Sequence, residues 1–287
     1  MGRGAPDGGI QDRRVLITGA ARGIGAALAR RLHERGARVA VTGLEPELLA
    51  QVAADVDGPH WPCDVTDRAQ VDATVAAAVE ALGGLDVVVA NAGVAAQLPL
   101  VGGDPTIFDR TLAVNVGGVY NTVRAAGPHV SHPRGYVVVI SSLGGAIHLP
   151  LMGAYSVSKA GVEALGNTLR QELRPSGARV GVAYFAELDT DMTTRGFSTE
   201  AAGQLLGGKT ITTVTPLEAG IRALERGIAE RRRIIVAPRW VRPALSTRMV
   251  VQPVVELVVR RRLGAALEVA RAEQVELTTP QPPAPPG

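Results

Sequence analysis

Lysine is almost missing from this chain. Lys159 and Lys209 are the only two, so the positive charge is nearly all arginine. Cysteine is scarcer still: Cys63 stands alone, which excludes a disulfide framework and a cysteine-based zinc site. The five histidines, His33, His60, His129, His132 and His148, show no metal-ligand spacing, and no metal is expected. No run approaches the roughly 18 apolar residues of a membrane span. Residues 1–14 are polar and Gly-rich with no signal-peptide core, so the expected location is the cytoplasm. A net charge of +3 gives no pointer to a nucleic-acid partner.

What is present is an alternation. Short apolar runs at 15–17, 38–42, 85–90, 135–141, 179–184 and 234–236 are separated by helical patterns at 24–34, 48–56, 65–82, 108–127 and 154–174. Strands alternating with helices at this spacing predict an α/β fold, a doubly wound parallel sheet with helices on both faces. Length and the 46% hydrophobic content suit one well-cored domain with a tail. The reading is a flexible start at 1–11, a domain over 12–240, a helical extension at 241–277 and a disordered Pro-rich tail at 278–287. Within the domain, 193–216 is polar and long for a connector, which predicts a lid over the substrate. In the extension, an apolar stretch at 250–259 is followed by Arg260, Arg261 and Arg262. Helices packed on the core or on a second subunit are the favoured reading, and peripheral contact with a membrane surface is the less favoured one.

Thr18 to Gly25 joins the first strand to the first helix as Thr-Gly-Ala-Ala-Arg-Gly-Ile-Gly. Gly19 permits a sharp turn, Gly23 clears the approach of a pyrophosphate, and Gly25 lets the helix pack closely. The helix N-terminus offers free N–H groups and a positive dipole end to the phosphates. Asn91-Ala92-Gly93 and Asp64-Val65 end later strands at the same sheet edge, where ligands of open sheets bind. Asp64 is read as an acceptor for the adenine amino group or, more plainly, as a helix N-cap.

Tyr155 and Lys159 lie four apart at the start of a helix, so their side chains share one face. A nearby ammonium favours the phenolate and lowers the phenol pKa towards the working range. Ser142 ends the preceding strand, placed to hydrogen-bond the same substrate oxygen.

Order and spacing over residues 12–240 resemble the compact single-domain branch of the short-chain dehydrogenase/reductase superfamily, with its Rossmann-type sheet. The resemblance implies an enzyme that moves hydride between an alcohol and a ketone with NAD or NADP. It implies a catalytic set of Asn115 (in Asn-Val-Gly-Gly), Ser142, Tyr155 and Lys159, with Asn115 holding a relay water. It implies cofactor contacts from Gly19, Arg22, Gly23, Ile24, Gly25, Gly43, Leu44, Asp64, Val65, Asn91, Ala92, Gly93, Tyr155, Lys159, Leu188 and Thr190. Gly144, His148, Met152 and Phe185 are the substrate-wall candidates, and their mostly apolar neighbourhood predicts a lipid-, steroid- or acyl-like substrate. One departure is plain: Phe185-Ala186 stand where the family carries Pro-Gly, which makes Phe185 or Glu187 a candidate lining residue.

The choice between NAD and NADP stays open. Arg22 is placed to pair with a 2′-phosphate and Glu45 to repel one, so use of both cofactors is the expectation. The expected partners are a small-molecule substrate and further copies of the chain, as a homodimer or homotetramer, with no nucleic acid. The alternative to an enzyme is a non-catalytic dinucleotide sensor on the same fold.

Overall fold

The computed structural model describes residues 9–197, 199–207 and 212–282. The first half runs β1 (Arg14–Thr18), α1 (Gly23–Glu34), β2 (Arg38–Gly43), α2 (Pro46–Asp55), β3 (His60–Pro62), α3 (Arg68–Leu82), β4 (Val87–Ala90), α4 (Pro105–Leu112) and α5 (Val119–Val130). The second runs β5 (Tyr136–Ile140), α6 (Gly153–Glu172), β6 (Arg179–Phe185), α7 (Asp191–Gly196), α8 (Glu200–Leu206), α9 (Leu217–Glu230), β7 (Ile234–Ala237), α10 (Val241–Ser246), α11 (Arg248–Val259) and α12 (Leu263–Ala272).

The strands form one sheet in the order β3-β2-β1-β4-β5-β6-β7, and every neighbouring pair is parallel. Every residue of β4 and β5 is buried, as a parallel sheet covered on both faces requires. Val15 and Ile17 pack on one face with Leu28, Leu32, Ile221 and Leu224 of α1 and α9. Leu16 and Val88 pack on the other with Val75, Val123 and Val162 of α3, α5 and α6. The expected doubly wound α/β sheet is therefore the observed one. From β1 the order runs outward to β2 on one side and β4 on the other. The loops that follow β1 and β4 diverge there and open a crevice at the carboxyl edge.

Three local expectations are corrected. Helix α3 begins at Arg68, three residues later than read, because Asp67 and not Asp64 caps it: Asp67 accepts from the amides of Ala69 and Gln70. The single helix read over 108–127 is interrupted by a π-helical turn, Ala113–Gly118. There a Cβ on Gly118 would lie 2.5 Å from Val65 Cγ2, so glycine lets the widened turn sit on the loop after β3. The tail is ordered where it is described. Thr278 is buried and donates its amide to Ala95 O, while its hydroxyl accepts from Ala95 N. The rest of the tail, 283–287, and most of the start, 1–8, lie outside the described residues, as does Lys209.

The extension packs on the stretch read as a lid. Val259 and Ala266 cluster with Leu205 of α8, and Ala270 with Ala201. Glu273 caps α8, its carboxylate accepting from the amides of Glu200 and Ala201. Helix α11 is different: Met249, Val250, Val254, Leu257 and Val258 are all exposed. No described helix is long and apolar enough to cross a membrane.

Candidate active site

The crevice is a cleft of about 250 Å³ with the turn after β1 at one end and the start of α6 at the other. Gly19 has φ +63°, and a Cβ there would lie 2.6 Å from Ala92 Cα. Gly25 sits so close to the turn that its Cβ would meet Gly19 O at 2.4 Å. Gly23 (φ +57°) faces open space instead. Helix α1 starts here without any side-chain cap, so its first N–H groups are left to a ligand. A bare glycine surface beside uncapped amides fits a pyrophosphate. Asn91 acts on the turn itself: its Nδ2 donates to the carbonyls of Thr18 and Gly19, both at 2.9 Å. It is a positioning residue for the cradle.

Ile24, Gly43, Leu44, Cys63 and Val65 continue the lining. Asp64 does not join them. Its carboxylate accepts from the amide and hydroxyl of Thr66 and pairs with Arg110, 3.2 Å away. Arg22 and Glu45 are paired at 2.6 Å, and the same guanidinium reaches Asp191 at 3.5 Å and the Thr279 hydroxyl at 3.2 Å.

At the other end, Tyr155 and Lys159 occupy successive turns of α6, both buried. Burial raises the phenol pKa, and the nearby Ser142 hydroxyl works against that rise. The Lys159 ammonium lies 5.6 Å from the centre of the Tyr155 ring, over its face, and donates to Ile140 O at 3.0 Å. Burial also lowers the Lys159 pKa to about 8. Gly144 separates Tyr155 from Ser142: a Cβ on it would touch both, at 3.4 and 3.5 Å.

Asn115 lies in the π-helical turn and is fully buried. Its amide accepts from Val94 N and donates to Val94 O and to Ser158 Oγ. A Cβ on Gly93 would come within 3.2 Å of Asn115 Oδ1 and 3.3 Å of Lys159 Nζ, so that glycine marks where the two groups converge. The side chain of Asn115 is thus committed to holding the strand-end loop against α6.

The wall is apolar, but not through every expected residue. Gly144, Met152, Phe185 and Glu187 line the cleft, as do Leu188 and Thr190. His148 is exposed and lies outside it, its backbone pinned on both sides by Gln252 of α11. Its neighbours Ile147 and Leu149 face inward instead. Phe197 meets the Tyr155 ring edge-on at 5.4 Å, and Met192 joins the same cluster. Sequence reasoning missed Phe197 and Met192, although Met192 borders the stretch read as a lid and Phe197 falls inside it. It also missed Thr278, Thr279 and Gln281, which line the cleft from the tail. A Pro-rich composition argued the other way there, and no local signal marked them.

A family model described as short chain dehydrogenase matches residues 13–201. A glycine betaine reductase from Emericella nidulans is 36% identical over 202 residues, 68% of this chain, though these are 16% of that much longer protein. The 2-(R)-hydroxypropyl-CoM dehydrogenase of Xanthobacter autotrophicus is 33% identical over 195 residues, which cover 63% of this chain and 76% of that one. Among solved structures, a short chain dehydrogenase/reductase from Burkholderia phymatum in complex with NAD superposes with a TM-score of 0.74 at 25% identity, covering 86% of this chain and 95% of the other. Levodione reductase gives 0.71 at 25% identity, over 79% of this chain and 96% of its own.

Proposed function

Because the chain belongs to the short-chain dehydrogenase family, oxidoreductases of CH–OH and C=O groups, we propose that it interconverts a secondary alcohol and a ketone on a largely apolar substrate. A bound nicotinamide dinucleotide supplies or takes up the hydride. The glycine turn and the uncapped start of α1 hold its phosphates. Tyr155 gives its phenolic proton to the carbonyl oxygen in reduction and takes a proton from the alcohol in oxidation. Ser142, which lines the cleft beside Tyr155, orients the substrate oxygen. Lys159 lends positive charge to the phenolate from over the face of the ring. Asn115 keeps the loop of Gly93 and Val94 in register with α6.

One observation carries the substrate class. The Tyr155 ring is walled by Ala95, Leu149, Met152, Met192 and Phe197, all apolar. Such a wall favours an acyl-, sterol- or ring-ketone-like group over a sugar or a charged acid.

NAD is the favoured cofactor. A 2′-phosphate near Arg22 would also meet Glu45 and Asp191, two carboxylates against one guanidinium. The NAD-bound relative from Burkholderia phymatum supports this reading.

The test is turnover on a panel of sterols, acyl ketones and small ketones with both cofactors, in wild type and Tyr155→Phe. Activity on the apolar ketones, lost in the variant, is the expected result. Tight cofactor binding with no turnover on any substrate would favour a dinucleotide sensor instead.

A further inference from the structure

Beyond α12 the described chain, up to residue 282, does not leave the molecule. It runs back across it, and each step is fastened. Glu273 caps α8. Leu277 packs with Leu98 and Ala154. Thr278 exchanges two hydrogen bonds with Ala95. The Thr279 hydroxyl then accepts from Arg22, at the start of α1. Two residues later, Gln281 lines the same cleft as Gly19 and Leu44.

Gln281 is unevenly satisfied. Its Nε2 donates to Thr279 O at 3.0 Å and to Pro280 O at 3.4 Å. Its Oε1 is buried with no hydrogen-bond partner among the described residues. A buried amide oxygen left bare costs stability, so an orphan acceptor on a residue that lines the cleft marks a place for a donor. An amide oxygen cannot bind a phosphate, which has only acceptors at neutral pH. It suits a hydroxyl or an amino group.

We infer that Thr279 and Gln281 form a subsite for the adenosine half of the dinucleotide, with Gln281 Oε1 accepting a hydrogen bond from a ribose hydroxyl or the adenine amine. The adenosine half is indicated because the strap meets Arg22. That residue is paired with Glu45 just past β2, the edge where a ribose rests in sheets of this order. The inference rests on the cofactor reading above and adds to it a binding element outside the matched family segment, which ends at residue 201.

Two substitutions separate the possibilities. Gln281→Leu keeps the volume and removes the acceptor, while Gln281→Glu keeps an acceptor and adds charge. NADH and ADP-ribose are titrated against each, with thermal midpoints as the check on folding. Wild-type binding of NADH tests the cofactor reading, and the variants test the subsite. The expected result is that Gln281→Leu weakens NADH and ADP-ribose by the same factor, about tenfold. Gln281→Glu should keep NADH close to wild type and bind NADPH worse than wild type does. Unchanged affinity in Gln281→Leu overturns the subsite while leaving the cofactor reading intact. A loss for NADH without a loss for ADP-ribose overturns the adenosine assignment.

Discussion

Arg22 and Glu45 form an ion pair with 2.6 Å between guanidinium and carboxylate, so the two residues that compete as cofactor selectors in the sequence are partners in the fold. Each neutralises the other, and Asp191 tips the local balance to negative. Wild type should therefore bind NADH more tightly than NADPH. Glu45→Gln frees Arg22 and removes a repelling charge. It should move the NADPH-to-NADH preference about tenfold towards NADPH, the size of one charge-assisted hydrogen bond. Arg22→Ala should lower NADPH affinity further than NADH affinity. Dissociation constants for both cofactors in the three proteins check this, and an unchanged ratio in both variants would remove these side chains from selection.

Tyr155→Phe removes the proton and little else, since the ring still meets Phe197 edge-on. Turnover should fall by about 10²–10⁴-fold with NADH affinity kept. Retention of the wild-type rate on every accepted substrate would mean that another group moves the proton.

Lys159 carries a pH signature. Its pKa is lowered to about 8 by burial, against 10.5 for the free side chain. Below pH 8 both folded and unfolded chains hold the proton, and the folded chain bears the cost of a buried charge. Between the two values the unfolded chain binds more protons, so stability rises with pH. Lys159→Met has no such step. Its advantage in thermal stability over wild type should be largest at pH 7 and shrink as pH climbs to about 10. At roughly 1.4 kcal/mol per unit the change is on the order of 3 kcal/mol. A pH-independent difference would place the lysine in a solvated environment.

Gly23 and Gly19 should fail differently. Gly23→Ala places a methyl in the open space above the turn, so NADH affinity should drop sharply. The fold should lose only about 1–2 kcal/mol from the left-handed backbone. Gly19→Val drives a branched side chain into the Ala92 backbone, so it should lower the melting temperature as well. Calorimetry beside fluorescence titration of the reduced cofactor separates the two effects.

The wall makes a prediction for substrate size. Phe197→Ala opens the apolar face over Tyr155, so KM for bulky ketones should rise by at least severalfold while small ketones change less. An aromatic edge contact contributes about 0.5–1.5 kcal/mol beyond its area. Equal effects on large and small ketones would argue that Phe197 supports the Tyr155 ring and does not touch substrate.

Local chemistry decided what was legible. The glycine turn, Asn91 and the Tyr155–Lys159 pair each need a particular residue type at a fixed spacing, and strand–helix alternation follows from burying a parallel sheet on both faces. Four features needed the folded chain. Asp64 reads as a free acceptor until Arg110, 46 residues away, is seen against it. His148 sits between two inward-facing residues, Ile147 and Leu149, and only the contact with Gln252 shows that it turns out. The π-helical turn at Asn115 comes from tertiary bonds to Val94 and Ser158. The strap of Thr278 and Gln281 has the composition of a disordered tail, and contacts with Ala95 and Arg22 order it in spite of that composition.

Helix α11 leaves five large apolar side chains in solvent, and it lies in a strongly basic part of the chain. Residues 239–262 hold six arginines and one glutamate, a local charge of +5 in a chain whose total is +3, so everything else sums to −2. The helix with its flanking residues is therefore a greasy pole of positive charge. At low ionic strength two such poles repel and the apolar faces stay apart. Above about 0.15 M salt the repulsion reaches only ~8 Å, while the apolar attraction is undiminished. Self-association through this helix should therefore rise with ionic strength.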